Sequence, residues 1–362
     1  MSKGISIYLG MNYPIEQNIR YIKKAKEYGF DNVFTSLHIP EADYSKIIED
    51  FKKVVELSKD LHMKIIADIS PRAFKYLGAS IKDLSVLKDM DIYGVRVDFG
   101  FSPKEIAEFT NNKYGLKIEI NASTVTERFL NEFDKHNPNY KMLQACHNYY
   151  PRMNTGISEE TLLKKNNMLK KYGIKLSAFI PSKSGKRGPI FEALPTLEVH
   201  RNMKPEVCAK HLFALGLDNV IFGDSIPSDE ELISVGKLEE HILEFNIEEL
   251  NCSEIEREIL FKGSHKNRPD PAEDVIRSTM SRETLNGRKI EQRNNIERVK
   301  GSVTIDNEKY LRYCGEVQIC KKDLPADPRV NVVGHISKDE VFLLDFIKDE
   351  TKFKFISESN FH

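Results

Sequence analysis

The chain has 362 residues, enough for two domains or for one large domain with an appendage. Its 40% hydrophobic and 30% charged residues are an ordinary soluble composition with material for a sizeable core. Fifty-four Lys and Arg against 55 Asp and Glu leave a net charge of −1, so no global field favours nucleic acid and any basic patch must be local. No apolar run approaches the roughly 18 residues of a membrane span. The first ten residues lack the apolar stretch of a signal peptide. Five scattered cysteines make no disulfide framework. The expectation is a reduced, cytoplasmic protein without a membrane or nucleic-acid partner.

Short β-rich segments recur at 5–10, 32–39, 64–70, 94–99, 117–121, 141–148, 175–180 and 219–224. Amphipathic helical stretches separate most of them, at 14–28, 45–61, 80–90, 103–114, 159–172 and 205–215, and a last helix follows near 228–236. Tyr28-Gly29, Tyr114-Gly115 and Tyr172-Gly173 read as helix ends, because glycine accepts the left-handed conformation found there. Eight strands alternating with helices are the count of a (β/α)8 TIM barrel over residues 1–238. An open doubly wound sheet is disfavoured, since no Gly-x-Gly-x-x-Gly turn follows the first strand. From residue 239 to 362 the pattern changes to short segments at 244–250, 257–262, 275–281, 301–305, 311–319, 329–333, 341–346 and 352–356, read as strands of a small β-barrel or sandwich. Asn286-Gly287 and Asp306-Asn307 supply turn dipeptides between them.

In a barrel strand the helix-facing side must be apolar, so polar residues that alternate with apolar ones point into the lumen. This rule sends Ser6, Tyr8, Ser36, His38, Asp68, Ser70, Arg96, Asp98, Glu119, Asn121 and Asp224 inward, mostly toward strand C-termini, where barrel enzymes keep their active sites. So many ions in a narrow lumen are costly for a fold that needs them only for stability. Paired carboxylates suit glycoside hydrolysis, one as proton donor and one as nucleophile or water base. Glu119 and Asp98 form the leading pair, with Asp224 and Asp68 in reserve, and Arg96 beside Glu119 favours its ionised form. Asn121, His38, Tyr8, Asn148 and Tyr149 are candidate substrate contacts near the same rim. After the seventh strand, Pro181-Ser-Lys-Ser-Gly-Lys-Arg-Gly-Pro189 gathers Lys183, Ser184, Lys186 and Arg187 where this fold often holds phosphate. It is not a P-loop, because no Gly-Lys-Ser/Thr opens a helix.

Other features carry less. Cys146 and His147 are adjacent and fall on opposite faces of a strand, a poor metal site or thiolate dyad. Cys314 and Cys320 share one face of a β-segment without His or Cys partners nearby. The first strand lacks a His-x-His, and Lys64, Lys117, Lys141 and Lys175 stand at strand beginnings, the wrong end for a Schiff base. No metal and no cofactor are expected.

Gly4-Ile-Ser-Ile-Tyr-Leu-Gly10, Ala67-Asp-Ile-Ser-Pro71, Lys186-Arg-Gly-Pro-Ile-Phe-Glu192, Leu194-Pro-Thr-Leu-Glu198, His200-Arg201, Arg268-Pro-Asp-Pro271 and Val303-Thr-Ile-Asp-Asn307 together resemble one bacterial family along essentially the whole chain. Its members pair a TIM barrel with a cyclophilin-like β-barrel and include the 6-phospho-N-acetylmuramidases of peptidoglycan recycling. The resemblance implies intracellular hydrolysis of the β-1,4 bond of 6-phospho-N-acetylmuramyl-N-acetylglucosamine, a small phosphorylated partner. The rivals are a sugar-phosphate isomerase or lyase, which would release no second sugar, and a carbohydrate-binding protein, which would leave its ligand intact.

Overall fold

The computed structural model describes residues 1–11, 13–37, 44–71, 74, 77–80 and 83–357, with the side chains of 44–46 left aside. The chain divides into two compact units, Met1–Lys237 and one that begins at Leu238.

In the first unit eight parallel strands close into a barrel in sequence order. They are β1 (Ser2–Ile7), β2 (Asn32–Ser36), β3 (Lys64–Asp68), β4 (Gly94–Val97), β5 (Lys117–Asn121), β6 (Leu143–Cys146), β7 (Lys175–Ile180) and β8 (Asn219–Phe222). Pairing of Ser2 with Asn219 closes the ring between β1 and β8. Around it run α1 (Ile15–Glu27), α2 (Tyr44–Asp60), α3 (Ser85–Asp89), α4 (Pro103–Thr110), α5 (Glu127–Asp134), α6 (Glu159–Lys170), α7 (Pro205–Ala214) and α8 (Asp229–Gly236). Strand residues that face the helices, such as Val33, Ile65, Val95, Ile118 and Ala145, are buried, as the alternation requires. Gly29 (φ 87°) and Gly173 (φ 70°) adopt the left-handed conformation expected after α1 and α6.

Three helical readings change, and the first is 80–90, of which only Ser85–Asp89 is helical while Ser80 and Asp83 form a β-bridge. The expected helix 103–114 stops at Thr110, because Asn112 turns its side chain onto the backbone of Tyr114 and Leu116 and ends the helical ladder. Helix α5 has no counterpart in the sequence reading. Thr126 caps it by accepting from the Phe129 N–H, and Leu130 and Phe133 bury its inner face.

The second unit is a seven-stranded sheet in the order β10-β15-β9-β14-β12-β13-β11. Its strands are β9 (Leu243–Glu249), β10 (His265–Lys266), β11 (Val275–Arg277), β12 (Ser302–Asp306), β13 (Val317–Cys320), β14 (Val330–Ile336) and β15 (Lys352–Ser357). All pairs are antiparallel except β9 with β15. Phe245, Ile247, Val303, Ile305, Val317, Ile319 and Phe353 form its core. Segment 257–262 is not a strand: it belongs to helix α9 (Glu254–Phe261), started by a capping box between Ser253 and Glu256. Segment 341–346 is a 3-10 turn that buries Leu343 and Leu344, and 311–319 becomes a 3-10 turn followed by β13. A five-residue helix α10 (Ser281–Leu285) precedes Asn286, whose left-handed φ of 46° ends it.

Candidate active site

A layer of Phe34, Cys146, Phe179 and Ile221 packs across the lumen and divides it into two ends. Above it, at the strand C-termini, lies a cavity of about 220 Å3 lined by Phe34, Asp68, Arg96, Asp98, Asn148, Tyr149 and Phe179. Below it, at the strand N-termini, a second cavity of about 240 Å3 has Glu119, Gln144, Lys64, Lys175 and Asp218 among its walls.

Arg96 links the two ends. Its guanidinium is buried, and Nη1 donates to the Cys146 carbonyl (2.9 Å) while Nη2 donates to Asn148 Oδ1 (2.7 Å). Nη2 is 3.7 Å from Asp98 Oδ1 in the upper cavity, and Nη1 is 3.5 Å from Glu119 Oε1 below. Burial opposes its charge, but Glu119, Asp68 and Asp98 hold the cation firmly protonated. Asp68 pairs in register with Arg96 and accepts from Ser36 Oγ (3.1 Å). Asp98 stands two residues beyond that register, so its Cα is roughly 8 Å from that of Asp68, one strand across and two residues along. Asn121 Nδ2 donates to Asp98, and its Oδ1 accepts from Ser123 and Thr124, which fixes the amide. Asn148 spends Oδ1 on Arg96 and Asn121, and among the described residues its Nδ2 has no partner and is a donor available to a ligand.

Glu119 does not join Asp98. The alternation rightly sends both inward, yet Glu119 is in register with Arg96 and bonds Gln144 Nε2 (2.7 Å) below the dividing layer. Its carboxyl is 1% exposed. Burial pushes it up in pKa, against Arg96 and the Gln144 amide, which favour the ion. Asp98 thus shares the upper cavity with Asp68, and Glu119, expected as its partner, lines the lower one.

Asp224 is fully buried and accepts from the backbone N–H groups of Ser182 (2.8 Å), Arg187 (3.0 Å) and Leu194 (3.1 Å). Its oxygens tie the seventh loop to the barrel and leave no room for a reacting bond. The seventh loop also differs from expectation. Glu231, at the start of α8, accepts from Ser182 Oγ (2.8 Å), the Lys183 N–H (2.6 Å), Ser184 Oγ and the Ser228 N–H (2.9 Å). The cradle that would receive phosphate thus already holds a carboxylate, and Lys183 and Ser184 are not its anion site. Burial opposes the Glu231 charge, but these donors win and hold its carboxyl below the usual range.

Arg187 is different. Its guanidinium lies 4.4 Å from the Tyr8 ring centroid and 4.8 Å from that of Tyr149, and Nη1 donates to the Tyr149 hydroxyl (2.9 Å). Among the described residues no carboxylate is within ion-pair distance of it, and its Nε has no hydrogen-bond partner. Tyr8 is itself anchored to the Gly223 carbonyl (2.6 Å). Tyr149 also lines the upper cavity, so Arg187 packs against a residue of its wall. His38 lies outside the described residues.

The 6-phospho-N-acetylmuramidase N-terminal family model matches residues 3–237, and the C-terminal model of the same family matches residues 243–356. The chain belongs to the 6-phospho-N-acetylmuramidase family. Two solved structures are similar along nearly the whole length. An uncharacterised B. cereus protein is 34% identical over 98% of this chain and 99% of its own, with a TM-score of 0.87. A conserved Enterococcus faecalis protein of unknown function is 35% identical over 99% of this chain and 97% of its own, with a TM-score of 0.75. A search of curated proteins finds no match.

Three further residues organise the site of this family member. Arg201, in a segment that carried the resemblance, clamps Glu198 through Nε and Nη2 (2.6 Å each) and donates to the carbonyls of Tyr150, Arg152, Glu192 and Ala193. It thereby joins the loops after β6 and β7, and its charge holds the Glu198 carboxyl down to about 2. His147 faces away from Cys146, bonding Ser123 and Asn166, and burial lowers it to about 4, so it is neutral. Ser123 passes that constraint to the Asn148 N–H (3.0 Å). Among the described residues no group of three or more His, Cys, Asp and Glu could hold a metal ion, and no helix is long and apolar enough to cross a membrane.

Proposed function

We propose that this family member is a cytoplasmic glycosidase that hydrolyses the β-1,4 bond of 6-phospho-N-acetylmuramyl-N-acetylglucosamine during peptidoglycan recycling. The observation that carries the reading is Asp68 and Asp98 gathered around Arg96 in one cavity, with the cation of Arg187 against its wall residue Tyr149. One aspartate, protonated, gives its proton to the leaving glycosidic oxygen as the C–O bond breaks. The other, ionised, attacks the anomeric carbon or takes a proton from the attacking water. Arg96 stabilises the ionised partner. Arg187, preceded by Lys186, binds the 6-phosphate as a delocalised cation held by two aromatic rings. Asn148 Nδ2 donates to a sugar oxygen, and Phe34 and Phe179 supply apolar wall.

The test is incubation with the phosphorylated disaccharide, with products followed by mass spectrometry. The wild-type chain is expected to release N-acetylglucosamine and 6-phospho-N-acetylmuramic acid. Asp68→Asn and Asp98→Asn are each expected to lose about 10³-fold or more in turnover while keeping the fold. Wild-type rates in both variants would remove the pair from the mechanism. Rearrangement without a second sugar would mean an isomerase or lyase.

A further inference from the structure

The lower cavity is walled by lumen-facing polar residues that have bonding capacity left over. In β7, Lys175 and Ser177 share the lumen face with Phe179 of the dividing layer, and in β6 Gln144 shares it with Cys146. A hydrogen-bond chain runs along the wall with every donor pointing the same way. Asn32 Nδ2 donates to Ser2 Oγ (2.7 Å), Ser2 Oγ to Asn219 Oδ1, and Asn219 Nδ2 to Ser177 Oγ (3.0 Å). The chain ends at Ser177, which is 2% exposed and whose own O–H has no acceptor among the described residues. Among those residues neither Lys175 nor Lys64 has a carboxylate within ion-pair distance, and Lys64 Nζ instead lies 5.4 Å from the Tyr93 ring centroid. Asp218 spends Oδ2 on the Leu176 N–H (2.8 Å), and Gln144 spends Nε2 on Glu119, which leaves Asp218 Oδ1 and Gln144 Oε1 as acceptors. A buried hydroxyl seldom goes without an acceptor, and this one shares its wall with unpaired groups of both signs.

We propose that the lower cavity is a second ligand site, which binds a small free amino acid. The ligand's carboxylate accepts from the Ser177 hydroxyl and from the Lys175 ammonium, and its own ammonium donates to Asp218 Oδ1 and Gln144 Oε1. Its side chain lies against Ile66 and Ile221. Charge selects this class of molecule. A simple anion would meet Asp218 without compensation, and a simple cation would meet Lys64 and Lys175, whereas a zwitterion suits both parts of the wall. Size limits it further, because about 240 Å3 is below the roughly 300–1,000 Å3 of pockets for drug-sized ligands. The layer of Phe34, Cys146, Phe179 and Ile221 stands between this site and the upper cavity, so the inference does not depend on the hydrolase reading.

The experiment is an NMR titration of the full chain with racemic alanine, and then with propionate and with ethylamine, which each carry one of its two charges. Alanine is expected to perturb Gln144, Ser177 and Asn219 and to leave Asn148 and Tyr149 unmoved. Propionate and ethylamine should each bind about tenfold more weakly or less. Lys175→Met and Asp218→Asn should each weaken alanine about tenfold. Lys175 is exposed, and asparagine keeps an acceptor for the Leu176 N–H, so both variants retain the barrel. Lys141→Met removes an exposed lysine beside the start of β6 that is not in the cavity wall, and should leave alanine binding within about twofold. No binding of alanine, propionate or ethylamine binding as tightly as alanine, equal effects of Lys141→Met and Lys175→Met, or perturbations confined to the upper cavity would each overturn the site. The hydrolase reading is tested separately, by cleavage of the phosphorylated disaccharide.

Discussion

Two pairs of carboxylates stand on opposite sides of the barrel mouth in opposite circumstances. Asp224 and Glu231 have their oxygens occupied by backbone N–H groups and serine hydroxyls of the seventh loop. Asp68 and Asp98 share one arginine and line a cavity. A carboxylate saturated by backbone donors is a structural tie, because neither a proton nor an electrophile reaches it without breaking several charge-assisted bonds. A carboxylate that lines a cavity beside a fixed cation can meet a ligand there. Asp98 follows the end of β4 much as Asp224 follows the end of β8. Access separates those two: Asp98 lines the cavity, whereas Asp224 is fully buried on three backbone donors.

The sharpest way to break that contrast is Asp224→Ala. It strands three buried N–H donors, and the expected cost is about 3 kcal/mol of unfolding free energy, read by urea denaturation. Asp98→Ala, which removes a half-buried carboxylate held by the Asn121 amide and by Arg96, should cost much less. Similar losses in both would erase the distinction between tie and reactive group.

A second comparison lies within the seventh loop. Arg187 and Lys183 are both cations that suit phosphate, but only Arg187 is placed on the aromatic pair at the cavity, while Lys183 is exposed and its N–H serves Glu231. Arg187→Ala is expected to raise KM for the phosphorylated disaccharide by about 10–100-fold. Lys183→Ala should change it less than about threefold, as expected of an exposed charge. Steady-state kinetics on the two variants decides between them, and a larger effect at Lys183 would return the anion site to the loop cradle.

Much of this arrangement was legible in the residue order, and its limits are physical. Alternation in Gly94–Val97 and Lys117–Asn121 separates lumen from helix face, since every helix-facing position must be apolar. Alternation carries no height, however: Asp68 and Glu119 are both in register with Arg96, yet Asp68 lines the upper cavity and Glu119 the lower one. Glu231 reads in sequence as an ordinary capping residue, and it is one. That the same carboxylate also fills the loop cradle depends on a contact 47 residues away in the chain. In the second unit, Ser253 followed by Glu256 was an available helix-start signal, but the short apolar run after it looks equally like a strand.

Glu119 provides the finest test, because it sits across the dividing layer from the mouth and still touches its arginine. With Glu119 ionised, the Arg96 charge is divided between it and the aspartates above. Glu119→Gln removes one negative charge at about 8 Å from Asp98, one strand across and two residues along. The aspartates then lose a neighbour that favours their protonated form and keep the whole of Arg96, so their proton affinity falls. At an effective dielectric constant of about 20, that separation is worth on the order of one pH unit. The basic limb of the kcat/KM profile, which reports loss of the proton donor, should therefore move to lower pH by about one unit, and the acidic limb should move in the same direction. Gln144→Leu, which removes the amide favouring ionised Glu119, should move both limbs the same way by less. Burial works against the Glu119 charge, and an unchanged profile in Glu119→Gln would mean that burial has already won and Glu119 is neutral. The mouth pair would then be tuned by Arg96 alone.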